Sequence, residues 1–194
     1  MLQVEREFKN LLTKSQYHSL LEDFKSLLTK EITQTNSYYD WDGILQSHKM
    51  ALRIRIVEGK NIGEITLKIP QSSLEVLEFT HELPVETLHQ YNKQKQFTLP
   101  LSIKEALESK EVYLEKVEQT ALLTTHRFEG PLSSNEWLVL DESYYNGKVD
   151  YEMEMEVQNL SLGEEVFLQI LQKYQIQREQ AESKIKRALS SISS

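Results

Sequence analysis

Charged side chains recur at every second position in two stretches, one near each end of the chain. Near the start, Glu5, Glu7 and Lys9 occupy alternate positions. Near the end, the stretch DYEMEMEV at 150–157 places four carboxylates at alternate positions between Tyr, Met and Val side chains. Because successive side chains of a β-strand point to opposite faces, each stretch predicts a strand with one charged and one apolar face. Like charges on neighbouring positions repel, so this much acid on one face requires cationic partners.

Length and charge narrow the class of protein. The chain has 194 residues, enough for one domain with a substantial core, and glycine and proline are too scarce to mark a linker. We therefore expect a single domain over residues 1–194. The formal net charge of -8 argues against nucleic acid and an anionic membrane as partners. The absence of cysteine excludes disulfides, thiolate zinc sites and cysteine nucleophiles.

The chain is expected to be a cytoplasmic protein. It enters a charged strand at once, so we expect no signal peptide, and no apolar run approaches the ~20 residues of a membrane span. The sequence leaves the oligomeric state open.

Alternation and turn signals predict eight strands with helices between and after them. The strands are expected at about 2–10, 31–40, 50–57, 62–69, 74–83, 111–128, 136–145 and 148–157. The helices are expected at about 13–28, within 84–109, and at about 162–174 and 179–192, the first of them opened by a capping box of Thr13 and Gln16. Antiparallel neighbours with helices on their apolar faces predict an α+β fold, an eight-stranded antiparallel β-barrel with a charged interior and helices packed outside.

The Asn-Gly pair at 146–147 predicts the register of the last two strands. Asn-Gly between two alternating stretches is typical of a two-residue type I′ hairpin turn. Such a turn pairs Tyr145 with Lys148 and therefore places Asp141 opposite Glu152. This register matches polar with polar and apolar with apolar positions along both strands.

Acids and bases gather on different predicted strands, which indicates a chemical role. The acids concentrate on the first and last strands, and Arg53, Arg55 and Lys68 lie on the middle ones. Carboxylate oxygens are ligands that Mg²⁺ and Mn²⁺ prefer, and guanidinium and ammonium groups match phosphate oxygens. Together they predict a site for a polyphosphate bound with a divalent metal. The alternative, a solvated face of an antiparallel sheet, would show dispersed charges of both signs.

Several short motifs follow one another in an order that resembles a known family. They are EREFK at 5–9, YYD at 38–40, LRIR at 52–55, TLKIP at 66–70, Arg127, LD at 140–141, the acidic strand 151–156 and SK at 183–184. The set resembles the CYTH superfamily, the triphosphate tunnel metalloenzymes, which includes inorganic triphosphatases, thiamine triphosphatases and class IV adenylyl cyclases. The resemblance spans essentially the whole chain, except that 84–110 matches nothing that can be carried over. It implies an eight-stranded antiparallel tunnel, a small-molecule triphosphate substrate and Mg²⁺ or Mn²⁺ as cofactor.

The resemblance also implies roles for individual residues. The metal ligands would be Glu5, Glu7, Asp141, Glu152, Glu154 and Glu156. The triphosphate would be bound by Lys9, Arg53, Arg55, Lys68, Arg127 and Lys184. Catalysis would rest on Glu5, Glu7, Lys9, Glu154 and Glu156. Because four acids alternate along this stretch, the alignment with the family's metal ligands is ambiguous by one pair of acids. As metal ligands, Glu154 and Glu156 rank above Glu152 and Asp150. Asp40 is expected to support a basic neighbour.

The expected activity is metal-dependent hydrolysis of a triphosphate, with inorganic triphosphate as the favoured substrate. Thiamine triphosphate is an alternative substrate for the same chemistry. A class IV adenylyl cyclase is the runner-up, in which the 3′-hydroxyl of ATP replaces water. A non-enzymatic sensor of polyphosphate or nucleotide is the third interpretation, and the many carboxylates argue against it because a pure phosphate binder gains nothing from them.

Overall fold

The computed structural model describes residues 2–179 and 181–190, which form nine strands and six helices. The strands are β1 Leu2–Leu12, β2 Lys30–Asp40, β3 Ala51–Val57, β4 Ile62–Pro70, β5 Glu75–Pro84, β6 Gln96–Thr98, β7 Lys116–Pro131, β8 Glu136–Tyr145 and β9 Lys148–Val157. The helices are α1 Lys14–Phe24, α2 Ile44–Ser47, α3 Val85–Gln94, α4 Leu101–Glu108, α5 Leu160–Lys173 and α6 Lys184–Ser190. In this described part, no helix is long and apolar enough to span a membrane.

The strands form one sheet whose order closes on itself. The order is β2-β3-β4-β5-β1-β9-β8-β7-β6, and β2 also pairs with β7. Eight long strands therefore complete a ring of pairings, while the three-residue β6 extends the sheet beyond β7. The pairings β1–β9, β2–β3, β3–β4, β4–β5, β7–β8 and β8–β9 are all antiparallel. This topology confirms the predicted α+β fold with an eight-stranded antiparallel β-barrel.

The hairpin between β8 and β9 has the predicted register. Tyr145 pairs with Lys148, and Asp141 lies directly opposite Glu152. Asn146 and Gly147 have φ angles of 47° and 76°, as a type I′ turn requires at both of its central positions. The turn chemistry therefore fixes which acids of β9 face which residues of β8.

The first helix begins as predicted and ends earlier. The Thr13 hydroxyl accepts a hydrogen bond from the Gln16 N–H at 3.2 Å, and the Gln16 side chain accepts one from the Thr13 N–H at 2.9 Å. The helix ends at Phe24 because the N–H groups of both Leu27 and Leu28 bond to the Phe24 carbonyl, which closes a tight turn. The prediction of a helix to residue 28 was wrong at this end.

Three other boundaries differ from the prediction. The short strand β6 interrupts the region predicted to hold only helices, since Phe97 is buried against the core of the sheet. The strand β7 begins at Lys116 rather than at 111, because Lys110 and Val112 donate hydrogen bonds to the Leu107 carbonyl and form a turn after α4. The last helix begins at Lys184 rather than 179, and the end of its predicted range lies outside the described residues.

The described residues divide into two compact units. The first consists of 2–5, 34–123 and 184–190, and the second of 6–33, 124–179 and 181–183. In the first unit, α3 packs on β3, β4 and β5, and α4 packs on β5. The core contains Leu52, Ile54, Ile65, Leu67, Leu88, Ile103 and Leu107. These side chains are shielded almost completely from water, which is the main source of stability for such a core.

The second unit has a core of its own. Phe8 of β1 packs on Phe167 of α5 with ring centroids 5.5 Å apart, and Tyr17 of α1 packs on Tyr151 of β9 at 5.0 Å. Met153 and Met155, on the same face of β9, are completely buried. In each unit the helices thus cover the apolar strand faces, as predicted, and leave the charged side chains on the opposite faces.

Candidate functional site

In the first unit, the strand register places a group of charged side chains on one face. Arg55 lies directly opposite Asn36 of β2 and Glu64 of β4, and Arg53 lies directly opposite Thr66 of β4. Directly opposite residues of antiparallel strands project to the same side of the sheet. Both arginines therefore lie on the face of the sheet opposite to the helices.

The two arginines converge on one carboxylate. Nη2 of Arg53 and Nη1 of Arg55 lie 3.3 and 3.6 Å from the same oxygen, Oε1 of Glu64. The Arg55 Nε also donates to the Asn36 side-chain oxygen at 3.2 Å. Arg53 is only 6% exposed, and its buried Nε has no hydrogen-bond partner among the described residues. A buried donor of this kind is costly to leave unsatisfied, which favours the entry of an anionic acceptor.

Lys68 lies between two carboxylates in the same unit. Its Nζ is 2.8 Å from Glu5 Oε2 and 2.5 Å from Glu78 Oε1. Burial alone would raise the pKa of Glu78, but the positive charges of Lys68 and Arg53 lower this pKa below its ordinary value. The first unit therefore presents three cations, each held by acidic side chains.

In the second unit, the register of β1, β9, β8 and β7 gathers most of the remaining predicted residues on one face. Glu7 lies opposite Glu156 and Lys9 opposite Glu154. Glu152 lies opposite Asp141 on β8, and Asp141 lies opposite Arg127 on β7. Acids of three strands and two cations thus share this face.

Arg127 is surrounded by carboxylates. Its Nε donates to Asp141 Oδ1 at 2.7 Å, and its Nη2 donates to Asp141 Oδ2 at 2.6 Å and to Glu154 Oε2 at 2.8 Å. Glu129 lies 3.9 Å from Nη1. Burial lowers the pKa of Arg127, but the charges of Asp141 and Glu154 more than compensate and raise this pKa well above its usual value. The guanidinium is therefore permanently charged and fixed in orientation.

Lys9 occupies the acidic surroundings of β1 and β9. Its Nζ donates to Glu7 Oε1 at 2.8 Å, and its side chain is 29% exposed. Burial lowers the pKa of Lys9, whereas the negative charges of Glu7, Glu154 and Glu152 raise it, with a net increase. The ammonium group is therefore protonated at neutral pH.

The acids of the second unit fit the requirements of a divalent metal in donor type. Glu7 and Glu156 face each other across β1 and β9, so two hard oxygen ligands come from directly opposed positions. Opposed like charges on a sheet are destabilising unless a cation lies nearby. As the side chains stand, no cluster of three or more Asp, Glu or His residues within 2–179 and 181–190 has metal-binding geometry.

The remaining sequence-based predictions have mixed outcomes. Lys184 is the first residue of α6 in the first unit and is half-buried. Asp40 has no basic partner among the described residues, contrary to the prediction. Its carboxylate instead accepts hydrogen bonds from the N–H groups of Trp41, Leu45 and Gln46 at 2.7 to 3.0 Å, so it holds the turn into α2.

Sequence reasoning missed three residues that contact the predicted ones. They are Asn36 and Glu64 beside Arg55, and Glu129 beside Arg127. The alternation of Glu64, Thr66 and Lys68 along β4 is the signal that places Glu64 on the charged face.

Comparison with known proteins identifies the family. The family model of the CYTH domain matches residues 3–189. The chain belongs to the CYTH domain family. This CYTH chain is 32% identical over 188 residues to a Bacillus subtilis protein named "Putative triphosphatase YjbK", a match that covers 95% of this chain and 94% of the relative.

Solved structures of other proteins share the CYTH fold. A Bacillus halodurans protein described as a putative adenylate cyclase is 27% identical, with a TM-score of 0.83 over 96% of this chain and 97% of that one. A Hippeastrum protein, described as a putative adenylyl cyclase with a dominant triphosphatase activity, is 20% identical. Its TM-score is 0.72 over 98% of this chain and 96% of that one, and at this identity the likeness concerns the fold alone. The resemblance stated from the motifs is thereby confirmed at the level of family and fold.

Proposed function

We propose that this CYTH protein hydrolyses a small-molecule triphosphate with the help of Mg²⁺ or Mn²⁺, and that inorganic triphosphate is its substrate. The observation that carries the proposal is the convergence of Arg53 and Arg55 on a single oxygen of Glu64. Two guanidinium groups at one position suit the closely spaced oxygens of a phosphate chain, because planar forks bind phosphate through paired hydrogen bonds. The Bacillus subtilis relative that carries the name of a triphosphatase supports the same activity.

The proposal assigns the roles that the resemblance implies. The triphosphate would be bound by Lys9, Arg53, Arg55, Lys68, Arg127 and Lys184. The metal would be held by Glu5, Glu7, Glu154 and Glu156, with Glu152 and Asp141 as further acids. The two hydrogen bonds from Arg127 to Asp141 favour a positioning role for Asp141, because both of its oxygens are already acceptors.

The chemistry divides between the protein and the cofactor. When bound, the divalent cation supplies charge compensation for the phosphate oxygens and acidifies water. The basic side chains would align the phosphate chain and disperse the charge that develops on its equatorial oxygens during transfer to water. Positioning and electrostatic stabilisation would account for most of the rate increase, since phosphoryl transfer requires little covalent participation by the enzyme.

An adenylyl cyclase is a second candidate, favoured by the Bacillus halodurans relative described as a putative adenylate cyclase. The same phosphate-binding residues would then serve ATP, and the 3′-hydroxyl would attack in place of water. A cytoplasmic location, a single domain over 1–194, and the absence of a nucleic-acid or membrane partner remain predictions from the sequence.

The test is a substrate panel with product analysis. The purified chain is incubated with inorganic triphosphate, thiamine triphosphate or ATP in Mg²⁺ or Mn²⁺, and orthophosphate, pyrophosphate and cyclic AMP are measured separately. We expect orthophosphate release, and this release should be faster from inorganic triphosphate than from thiamine triphosphate or ATP. Pyrophosphate and cyclic AMP from ATP, without orthophosphate release, would establish the cyclase instead. Binding of triphosphate without any product would instead support a non-enzymatic sensor of polyphosphate or nucleotide.

A further inference from the structure

Glu64 contacts both phosphate-binding arginines of the first unit, although no motif assigned it a role. Its Oε1 lies 3.3 Å from Arg53 Nη2 and 3.6 Å from Arg55 Nη1. Arg55 is directly opposite Glu64 across β3 and β4, and Arg53 is its diagonal neighbour. One carboxylate oxygen therefore occupies the position where an oxyanion would meet both guanidinium groups.

The contacts of Glu64 with its arginines are longer than those of Asp141 with Arg127 in the second unit, and the Glu64 side chain is more exposed. Asp141 is completely buried and bonds Arg127 at 2.7 and 2.6 Å, within the range of strong charge-assisted hydrogen bonds. The Glu64 side chain is 30% exposed, and its distances to the arginines exceed that range. Because the Glu64 carboxylate is partly exposed and its contacts are long, its ion pairs contribute little free energy, so a competing anion can replace it at small cost.

The arginines themselves are held by other means. The Arg53 side chain is only 7% exposed, and Arg55 is anchored through its Nε to Asn36 at 3.2 Å. Burial of the first stem and the hydrogen bond of the second keep both guanidinium groups in place without Glu64. The carboxylate of Glu64 is thus free to leave while the two cations stay.

We propose that Glu64 is a displaceable counter-ion that occupies the oxyanion position of Arg53 and Arg55 until a linear polyphosphate takes its place. The inference rests on the proposed function in that the ligand is a polyphosphate. Displacing Glu64 costs the same free energy for every oxyanion. Both orthophosphate and a polyphosphate chain are therefore bound more weakly by the same factor, and orthophosphate, which makes fewer contacts, stays the weaker ligand.

The experiment measures binding without turnover. The full chain is titrated calorimetrically with inorganic pyrophosphate and with orthophosphate in the presence of chelator, for wild type, Glu64→Gln and Glu82→Gln. Glu82 is the matched control, because it lies directly opposite Glu64 on β5, is exposed, and forms no ion pair within the described part of the chain. Both substitutions remove one negative charge from the same face.

The expected result is tighter binding in Glu64→Gln only. The dissociation constant for both anions should fall by about two- to fivefold, the range that corresponds to a weak ion pair open to water, while Glu82→Gln matches wild type. An equal change in both variants would contradict the proposal, because the loss of any negative charge on this face would then have the same effect. No change in either variant would contradict it as well, because Glu64 would then not compete with the anion. A weaker affinity in Glu64→Gln would also overturn it, since Glu64 would then be positioning the arginines.

Two further measurements keep the test decisive. If Glu64→Gln does not fold, Glu64→Asp withdraws the carboxylate by one methylene and should shift the affinity in the same direction. Failure of the proposed function is separate, because it appears as absent hydrolysis of inorganic triphosphate in wild type while the pyrophosphate affinities still report on Glu64.

Discussion

Arg127 and Asp141 form a two-point hydrogen-bonded pair across β7 and β8, with Nε to Oδ1 at 2.7 Å and Nη2 to Oδ2 at 2.6 Å. Asp141 is completely inaccessible to water. Nη2 of Arg127 reaches on to Glu154 of β9 at 2.8 Å, so one guanidinium connects three strands. The orientation of Glu154, a proposed metal ligand, therefore depends on an arginine and an aspartate that pair with each other.

Arg127→Lys should weaken both folding and activity. A lysine keeps the charge but cannot donate to both oxygens of Asp141 and to Glu154 at the same time. We expect a loss of about 1–3 kcal/mol in the free energy of unfolding, the value of hydrogen bonds to charged groups. Urea unfolding measures this loss, and triphosphate hydrolysis by the folded variant should fall together with it. A variant as stable and active as wild type would show that the pair positions nothing.

Asp141→Asn is the complementary change. It replaces one charged partner of Arg127 by an amide whose NH2 group would face an Arg127 N–H donor, while Glu154 remains as a charged partner. Leaving a buried donor unsatisfied in this way adds about 1–3 kcal/mol to the loss of the charged hydrogen bonds. The loss in unfolding free energy should therefore exceed that of Arg127→Lys. The reverse ranking would mean that the charge of Asp141 is compensated elsewhere.

Asn10 anchors the segment after α5 to the strand that carries Lys9. Its side chain is completely buried, donates to the Gln177 carbonyl at 3.0 Å, and accepts from the Glu179 N–H at 2.8 Å and from Arg178 Nη1 at 3.0 Å. The same Arg178 nitrogen donates to the Lys9 carbonyl at 2.8 Å. The backbone at Lys9 is thus fixed by a segment distant in sequence.

Asn10→Ala should lower the free energy of unfolding by about 1–3 kcal/mol, because it removes the three hydrogen bonds that this completely buried side chain makes to residues 177–179. The matched control is Asn135→Ala, which removes the same side chain from an exposed loop and should leave stability near wild type. Thermal and urea unfolding of both variants measure the difference. Equal stabilities for the two variants would contradict the anchoring role.

Gly130 of β7 lies where the chain leaves no room for a side chain. A Cβ atom at this position would lie 1.9 Å from the Leu27 carbonyl oxygen, which belongs to backbone and cannot rotate away. Gly130→Ala should therefore destabilise the protein by about 1–3 kcal/mol, the usual cost of overpacking. Ser134→Ala, at an exposed loop position, is the control for equilibrium unfolding. A stable Gly130→Ala protein would mean that the Leu27 turn can shift.

The fold was predictable where local chemistry decides the outcome. Asn146 and Gly147 fix the β8–β9 turn, and from this turn the opposition of Asp141 and Glu152 follows. The capping box of Thr13 likewise fixes the start of α1. Such features depend on a few neighbouring residues, so they can be predicted from a single sequence.

Contacts between distant segments were not predictable in the same way. Alternation placed Arg53, Arg55 and Lys68 on a charged face, but it does not say which carboxylate each cation selects. That choice depends on strand register and side-chain reach, which bring Glu64 to the arginines and Glu78 to the lysine. The bonds of Asn10 to residues near 178 are separated by more than 160 positions and leave no periodic signal.

The most direct measurement is orthophosphate release from inorganic triphosphate by wild type, Glu7→Gln and Glu165→Gln, each with Mg²⁺, Mn²⁺ or chelator. Glu7 is a proposed metal ligand opposite Glu156, whereas Glu165 is exposed on α5. Wild type and Glu165→Gln should release orthophosphate, and chelator should stop this release. The release rate of Glu7→Gln should be lower by at least about 100-fold, as expected for a group that supports transition-state charge. Release that persists with chelator, or a Glu7→Gln variant as active as wild type, would contradict the proposed metal-dependent triphosphatase.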